Sequence, residues 1–319
     1  MPNISTTTTG IFPKVSYSSD VPSLRANLHK SDRGEISKEE LEIIIQKNIE
    51  RVVTEQVAAG IDLPTDGLMR WTDLFSPFVQ AWDGITRRGI HRFYDTNTLY
   101  GEPVIESELE FQPSQNSTDF TIAQKFGAKK ATLPGVFTFA AACVDTFYND
   151  EKKLREVIAT NLLEEAKALI EAGAEIIEIH EPELAWQSAV SSSQLADVEE
   201  LYKKFGELGA KIIVVSYFRN FSNEIAESLA AAKVGIGIDF SKPTEIQDLD
   251  ASLVQIGIVD SRETKLENFA TLAERKADAI AKFPNAEIIF STTSHVEYLP
   301  HEIALQKIKL LKNLKGKLT

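Results

Sequence analysis

From residue 151 onward the chain alternates between two periodicities, and that alternation restricts the fold more than any other feature. Residues 151–172, "EKKLREVIATNLLEEAKALIEA", set Leu154, Val157, Ile158, Leu162, Ala166, Leu169 and Ile170 on one helical face. "GAEIIEIHEP" follows as a strand. Then come a helix near 194–208, strand "KIIVVSYF", a helix near 221–231, strands "VGIGIDF" and "LVQIGIVD", a helix over 263–282, strand "EIIFSTTS" and a helix over 301–314. The strands are continuous Ile/Val runs and not apolar–polar alternations, the pattern of a parallel sheet covered on both faces.

An earlier helix, "SKEELEIIIQKNIERVVTEQVAAG", opens on a capping box of Ser37 with Glu40 and closes at Gly60. Between it and residue 117 the pattern is less regular, apart from the short run "IDLPTDG"; "ATLPG" follows. Roughly seven or eight strand–helix units predict an α/β chain folded as a single (β/α)8 TIM barrel. A doubly wound open sheet is the alternative. It is disfavoured because no Gly-rich phosphate turn follows the first strand and polar residues cluster after nearly every strand. Residues 1–36 read as an N-terminal extension packed on the barrel and 37–319 as the barrel itself, with no linker or low-complexity segment between.

The net charge of −13 sets the average surface against a polyanion, so nucleic acid is not an expected partner. No run approaches the roughly 18 apolar residues of a membrane span. The start, "MPNISTTTTG", lacks the basic and apolar regions of a secretion signal, so a cytoplasmic location is expected. The single cysteine, Cys143 in "FAAACVDTF", reads as a buried inert thiol. One cysteine leaves no Cys-rich zinc site and no iron–sulfur cluster.

In a barrel the active site lies at the carboxyl ends of the strands. Those positions hold Thr65 and Asp66, His180 and Glu181, Ser216 and Arg219, Asp239, Asp260 and Arg262, and Ser294 and His295. Each also has an ordinary role open to it, capping the next helix or bonding a neighbour. Glu181 precedes Pro182, which fixes the turn that presents its carboxylate. His180 is open between a satisfied core histidine and a base. Elsewhere "RRGIHRFYDTNTLYGEP" gathers Arg87, Arg88, His91 and Arg92 with Tyr94 and Tyr100, either to receive an anionic tail or as a solvated loop.

In order along the chain, "TTTTGIFPKV", "EQVAAGIDLPTDG", "FYDTNTLYGEPVI", "IIEIHEPELA", "VVSYFRNFSNEI" and "VQIGIVDSRE" resemble the cobalamin-independent methionine synthases. The resemblance implies two tandem barrels in a full-length enzyme, of which this chain could supply one. The family's C-terminal barrel transfers a methyl group from a methyl-pterin to homocysteine. Zinc, held by a His-x-Cys pair, a Glu and a second Cys, supplies the thiolate that a thiol of pKa about 8.5 does not provide at neutral pH. The matching positions here are Ser216, Phe218, Asp239 and Ser294, so no catalytic zinc and no bound cofactor are expected. At the family's amino-acid anchors stand Ile11, Leu68 and His180, which would leave a homocysteine ammonium without partners.

The family's zinc-free N-terminal barrel is matched better, by "RFYDTNTLY", by Ser216, Tyr217 and Phe218, by Asp239 and by "GIVDSRE". That barrel packs on the catalytic one and lends basic residues to the polyglutamate tail of the folate donor, roles carried over to Arg25 and Arg92. With the strand-end residues read above, the expected substrate-binding set is Arg25, Arg92, Asp66, His180, Glu181, Arg219 and Asp239, with His180, Glu181 and Asp66 as catalytic candidates. The expected ligand is a methyl-pterin of methyltetrahydrofolate type or an amino acid, and the expected partner is a separate zinc-bearing methionine synthase barrel. Three functions remain open. One is an accessory subunit to that barrel. Another is an autonomous zinc-independent methyltransferase or lyase with His180 as base and Glu181 or Asp66 as its partner. The third is a non-enzymatic pterin-binding scaffold.

Overall fold

The computed structural model describes residues 3–15, 21–186, 191–242, 244, 246 and 249–315. Its elements in chain order are β1 (Ile4–Thr6), α1 (Leu24–Asp32), α2 (Lys38–Ala59), α3 (Ser76–Ala81), β2 (Asp83–Arg92), β3 (Leu99–Glu110), α4 (Asn116–Gln124), β4 (Lys130–Pro134), α5 (Val136–Ala142) and β5 (Val144–Asp145). They continue with α6 (Glu151–Glu171), β6 (Ile176–His180), α7 (Pro182–Trp186), α8 (Ser192–Gly206), β7 (Lys211–Val215), α9 (Asn223–Ala231), β8 (Gly235–Asp239), β9 (Leu253–Val259), α10 (Phe269–Lys282), β10 (Glu287–Thr292) and α11 (His301–Lys312). The capping box on α2 is present: Ser37 N donates to the Glu40 carboxylate at 2.8 Å and Glu40 N to Ser37 Oγ at 3.1 Å. Gly60 ends the helix at φ +84°, a conformation costly for any residue with a Cβ.

Seven strands form one wholly parallel sheet in the order β1-β10-β9-β8-β7-β6-β4. Among the described residues no eighth strand joins this sheet to close the expected barrel. Residues 62–65 occupy its place and touch both edges: Thr7 bridges Leu63, and Thr65 bridges Lys130. Leu63 N donates to Thr6 O at 3.0 Å and Lys129 N to Pro64 O at 2.9 Å. Pro64 has no N–H to give, which accounts for two isolated bridges where a ladder would otherwise run. Within residues 1–36, read as an extension packed on the barrel, Ile4–Thr6 is itself a strand of the main sheet.

Both faces of this sheet are covered, as the Ile/Val runs require. Ile177, Ile179, Ile212, Val214, Ile236, Val254 and Ile288 pack with the helices in the main core. Their alternates Ile176, Ile213, Val215, Leu253 and Ile289 join Leu63 in a separate cluster on the inner face. That inner layer is tight. A Cβ on Gly237 would lie 2.5 Å from Val215 Cγ1 and 2.9 Å from its Cα, and one on Gly235 would lie 2.8 Å from Leu253 Cγ. The alternation in "GIGID" therefore reflects inner positions with room for hydrogen only.

The stretch read as irregular contains a long antiparallel hairpin, β2 with β3, and β5 adds to it in parallel. Residues 86–92 of β2 are exposed at every position, so no apolar alternation marked it. The helix expected over 263–282 begins at Phe269, where Asn268 Oδ1 accepts from Thr271 N at 2.8 Å. No helix among the described residues is long and apolar enough to cross a membrane.

Gly237→Ala is expected to lower stability by about 1–3 kcal/mol through overpacking against Val215. Chemical denaturation of the two proteins checks this, and unchanged stability would mean that the inner layer yields.

Candidate functional site

The two-residue repeat of β6 puts Glu178 and His180 on the inner face with Ile176. The Glu178 carboxylate is buried and fully engaged. The ammonium of Lys130 in β4 is paired with it, neither side chain having any exposure, and that ammonium also donates to Thr8 O at 2.8 Å. Gln255 Nε2 in β9 donates to Glu178 at 2.6 Å and to Thr9 Oγ1 at 3.1 Å. His180 Nε2 lies 2.8 Å from the other carboxylate oxygen. Burial alone would raise the Glu178 pKa, but the Lys130 charge and the His180 ring outweigh it and bring it to about 2. Burial lowers the Lys130 pKa, and Glu178 opposes that.

Above this polar layer the rings of His180, Tyr217 and His295 meet edge to face at centroid distances of 5.0 to 5.3 Å. His295 Nδ1 accepts from Ile11 N at 3.4 Å, and burial, with His180 adding to it, holds this imidazole well below its ordinary pKa and hence neutral. His180 Nδ1, His295 Nε2 and the Tyr217 hydroxyl are buried polar atoms without a hydrogen-bond partner among the described residues. Such atoms are rare in folded proteins, and three in one ring cluster mark a place where polar groups exceed structural need.

Glu181, next in sequence, turns the other way and caps α5. Its carboxylate accepts from Phe137 N at 2.9 Å, Thr138 N at 2.6 Å and the hydroxyls of Thr138 and Tyr202. Gly135 makes room for it, since a Cβ there would lie 2.3 Å from Glu181 Oε2. Burial raises the Glu181 pKa to about 7 in spite of these donors. Asp66 closes a local turn by accepting from Leu68 N at 3.2 Å, and burial, followed by the charge of Asp119, lifts it to about 7. The carboxylate bonded to His180 is thus Glu178, not Glu181 or Asp66. The sequence carried one signal for it, the two-residue step back from His180. Lys130 and Gln255 gave none.

The other residues singled out lie around the carboxyl ends of the strands. Asp239 accepts from Ser241 N at 2.8 Å and stands 3.5 Å from Arg262, which also reaches Asp260 at 3.2 Å. Arg219 lies 4.0 Å over the ring of Trp186. Arg92 closes its own hairpin turn, donating to Thr96 O at 2.6 Å and Asn97 Oδ1 at 3.2 Å. Arg87 pairs with Asp73 at 2.8 Å, while Arg88 and His91 pair with Glu102 at 3.0 and 3.1 Å. Arg25 is exposed beside a cavity that also reaches His295.

The hairpin lays its tip across this end of the sheet. Phe93 lies 6.3 Å from Tyr217, and Tyr94 lies 5.1 Å from Trp186 and 6.2 Å from Phe218. Tyr94 and Phe218 both hold left-handed backbone, φ +48° and +74°, at a cost of about 1–3 kcal/mol each. Beside the tip is a cavity of about 620 Å³ bordered by Trp186, Phe218 and Tyr298 and by Arg219, Lys242 and Arg262.

The positions matched to the family's zinc ligands do not suit that metal. Ser216 Oγ donates to Arg219 O at 2.9 Å, Phe218 packs 4.9 Å from Tyr217, and Ser294 Oγ lies 2.9 Å from Ser261 Oγ. Among the described residues no three His, Cys, Asp or Glu side chains converge to hold a metal ion.

Lys130→Met is expected to cost about 3–5 kcal/mol by leaving Glu178 charged and unpaired, and adding Glu178→Met should recover part of that loss. Denaturation of the single and double variants measures both. Glu181 binds its proton more tightly folded, about 7 against an ordinary 4.5, so its contribution is complete below pH 4.5 and is lost as pH rises through 7. Glu181→Gln should therefore flatten the stability profile across that window, and an unchanged slope would contradict the assignment.

Residues 84–281 match the family model described as "Cobalamin-independent synthase, N-terminal domain". A relative named "Methionine synthase" from Saccharolobus solfataricus is 27% identical over 320 residues, 97% of this chain and 92% of that protein. Another of that name from Sulfurisphaera tokodaii is 24% identical over 323 residues, 99% of this chain and 92% of the relative. Among solved structures, a B12-independent methionine synthase from a Shewanella species in complex with selenomethionine superposes with TM-score 0.80 at 20% identity, covering 98% of this chain and 96% of that one. A putative vitamin-B12 independent methionine synthase from Listeria monocytogenes gives 0.77 at 15% identity, with 98% of each chain covered. The structural likeness speaks for the fold and the family model for descent: this chain belongs to the cobalamin-independent methionine synthase family.

Proposed function

We propose that the chain binds a methyl-pterin of methyltetrahydrofolate type at the carboxyl end of its sheet and serves methionine formation as the accessory partner of a separate zinc-bearing barrel. The observation that carries this reading is the 620 Å³ cavity, where three aromatic side chains and three cations meet in a chain of net charge −13. Aromatic walls suit a planar heterocycle, and Arg219, Lys242 and Arg262 suit the carboxylates of a glutamate tail. Asp239 and Asp260 orient Arg262, and Trp186 holds Arg219 flat. Arg25 lines an adjoining cavity that shares Glu297 and Tyr298 with this one, so a longer tail would meet it next. Arg92 serves by fixing the hairpin tip, whose residues 95–98 form one wall. Ser216, Phe218, Asp239 and Ser294 do not make a ligand set for zinc, so on this reading thiolate activation falls to the partner.

A second reading rests on the Glu178–His180 pair. Nε2 of His180 is held by a carboxylate while Nδ1 stays unpartnered, the arrangement of an oriented general base. Proteins bearing the name methionine synthase and hardly longer than this chain add weight to it.

Calorimetry with methyltetrahydrofolate and its triglutamate form tests the pterin site. Arg219→Ala should weaken triglutamate binding about tenfold or more. Methyl transfer should need both this chain and a zinc barrel. Methionine made by this chain alone, and abolished by His180→Ala, would replace the accessory reading with the second one, and failure to bind either pterin would remove the first altogether.

A further inference from the structure

A smaller cavity of about 270 Å³ lies under the hairpin, sharing only Trp186 with the larger one. Its walls are aromatic: Phe75, Phe93, Tyr94, Tyr100 and Trp186. The rings box one another near right angles, Phe93 with Tyr94 at 4.8 Å and 79°, Phe75 with Tyr100 at 5.4 Å and 73°, and Phe93 with Tyr100 at 6.2 Å and 84°. Tyr94 closes the box toward Trp186 at 5.1 Å, and it does so from left-handed backbone. A strained residue whose ring completes an aromatic enclosure is a feature that packing alone does not call for.

The box has one acid and one base at its edge. Glu183 lines it and accepts from the Tyr94 hydroxyl at 3.1 Å, so the carboxylate is fixed against one wall. Arg92 lines it too and is exposed, with its guanidinium anchored to the hairpin turn. Aromatic faces carry negative quadrupole charge and favour a cation that gives up little hydration on entering. Methylated onium ions fit that description, since the charge is spread over methyl groups and no N–H is left without an acceptor. A primary ammonium carries three N–H groups to satisfy, and the ring faces that make up most of the wall offer them no acceptor.

We propose that this cavity is a binding site for a methylated onium ion, a quaternary ammonium or a sulfonium, with Glu183 adding opposite charge to the aromatic walls. A betaine-type zwitterion suits it best, its onium head inside the box and its carboxylate toward Arg92. The site differs in place and ligand class from the pterin cavity and stands whether or not that reading holds.

The test is calorimetric titration of the full chain with tetramethylammonium and with glycine betaine, alongside Trp fluorescence. Saturable binding is expected, with betaine tighter than tetramethylammonium. The anion 3,3-dimethylbutanoate, which has the shape and carboxylate of betaine with an uncharged carbon in place of the onium nitrogen, should bind about tenfold more weakly. Trp186→Ala should weaken betaine binding by a similar factor. Glu183→Gln, which preserves shape, should weaken both onium ions, and Arg92→Gln should weaken betaine more than tetramethylammonium. Circular dichroism confirms that each variant is folded. No saturable binding of either ion at millimolar concentration, or equal binding of 3,3-dimethylbutanoate, would overturn the proposal.

Discussion

The Lys130–Glu178 pair fixes the interior of this molecule. Two opposite charges without solvent contact are costly to bury, and their attraction repays that cost only when every remaining hydrogen-bonding position is filled. Here Thr8, Gln255 and His180 fill them, so strands β4, β6 and β9 and the segment after β1 are locked in one relative register. A slip of one residue in β6 would turn Glu178 outward and strand Lys130. The apolar layer below gives volume to the inner face, and the polar layer gives it a single arrangement.

That layer also sets what lies above it. With Nε2 committed to Glu178, His180 offers only Nδ1 to the ring cluster, and His295 is kept neutral beside it. The cluster therefore holds three buried polar atoms with no partner among the described residues, while the cations Arg219, Lys242 and Arg262 stand further out around the cavity. Inside to outside, the end of the sheet passes from an ion pair to packed rings to a border of three cations with Asp95 and Glu297.

Much of the architecture was legible because periodicity reports burial. The α2 capping box and the Ile/Val runs of β6 to β10 could be read directly, since a strand buried on both faces cannot alternate. The hairpin was not legible because residues 86–92 are exposed on both sides, leaving no pattern to see. Lys130 was hidden for another reason. It follows Lys129, which is partly exposed and reaches Glu175, and composition cannot tell two adjacent lysines apart. Their difference comes from the phase imposed by the Thr65 bridge. Glu181 looked functional because Pro182 follows it. What the local sequence did not reveal is that the start of α5, over forty residues earlier, would claim its carboxylate.

The pairing of β1 with β10 has a consequence for biogenesis. Ile4 sits beside Ile288 and Thr6 beside Phe290, so during synthesis β1 waits until β10 is made before it finds its neighbour. Until then its remaining support comes from Leu63 and Asp62, a few contacts on a segment broken by Pro64. Chain closure of that span is slow in entropic terms and leaves a bare edge for the duration of synthesis. The threonines at 6 to 9, polar and β-branched, let that edge stay wetted without giving up its capacity to pair.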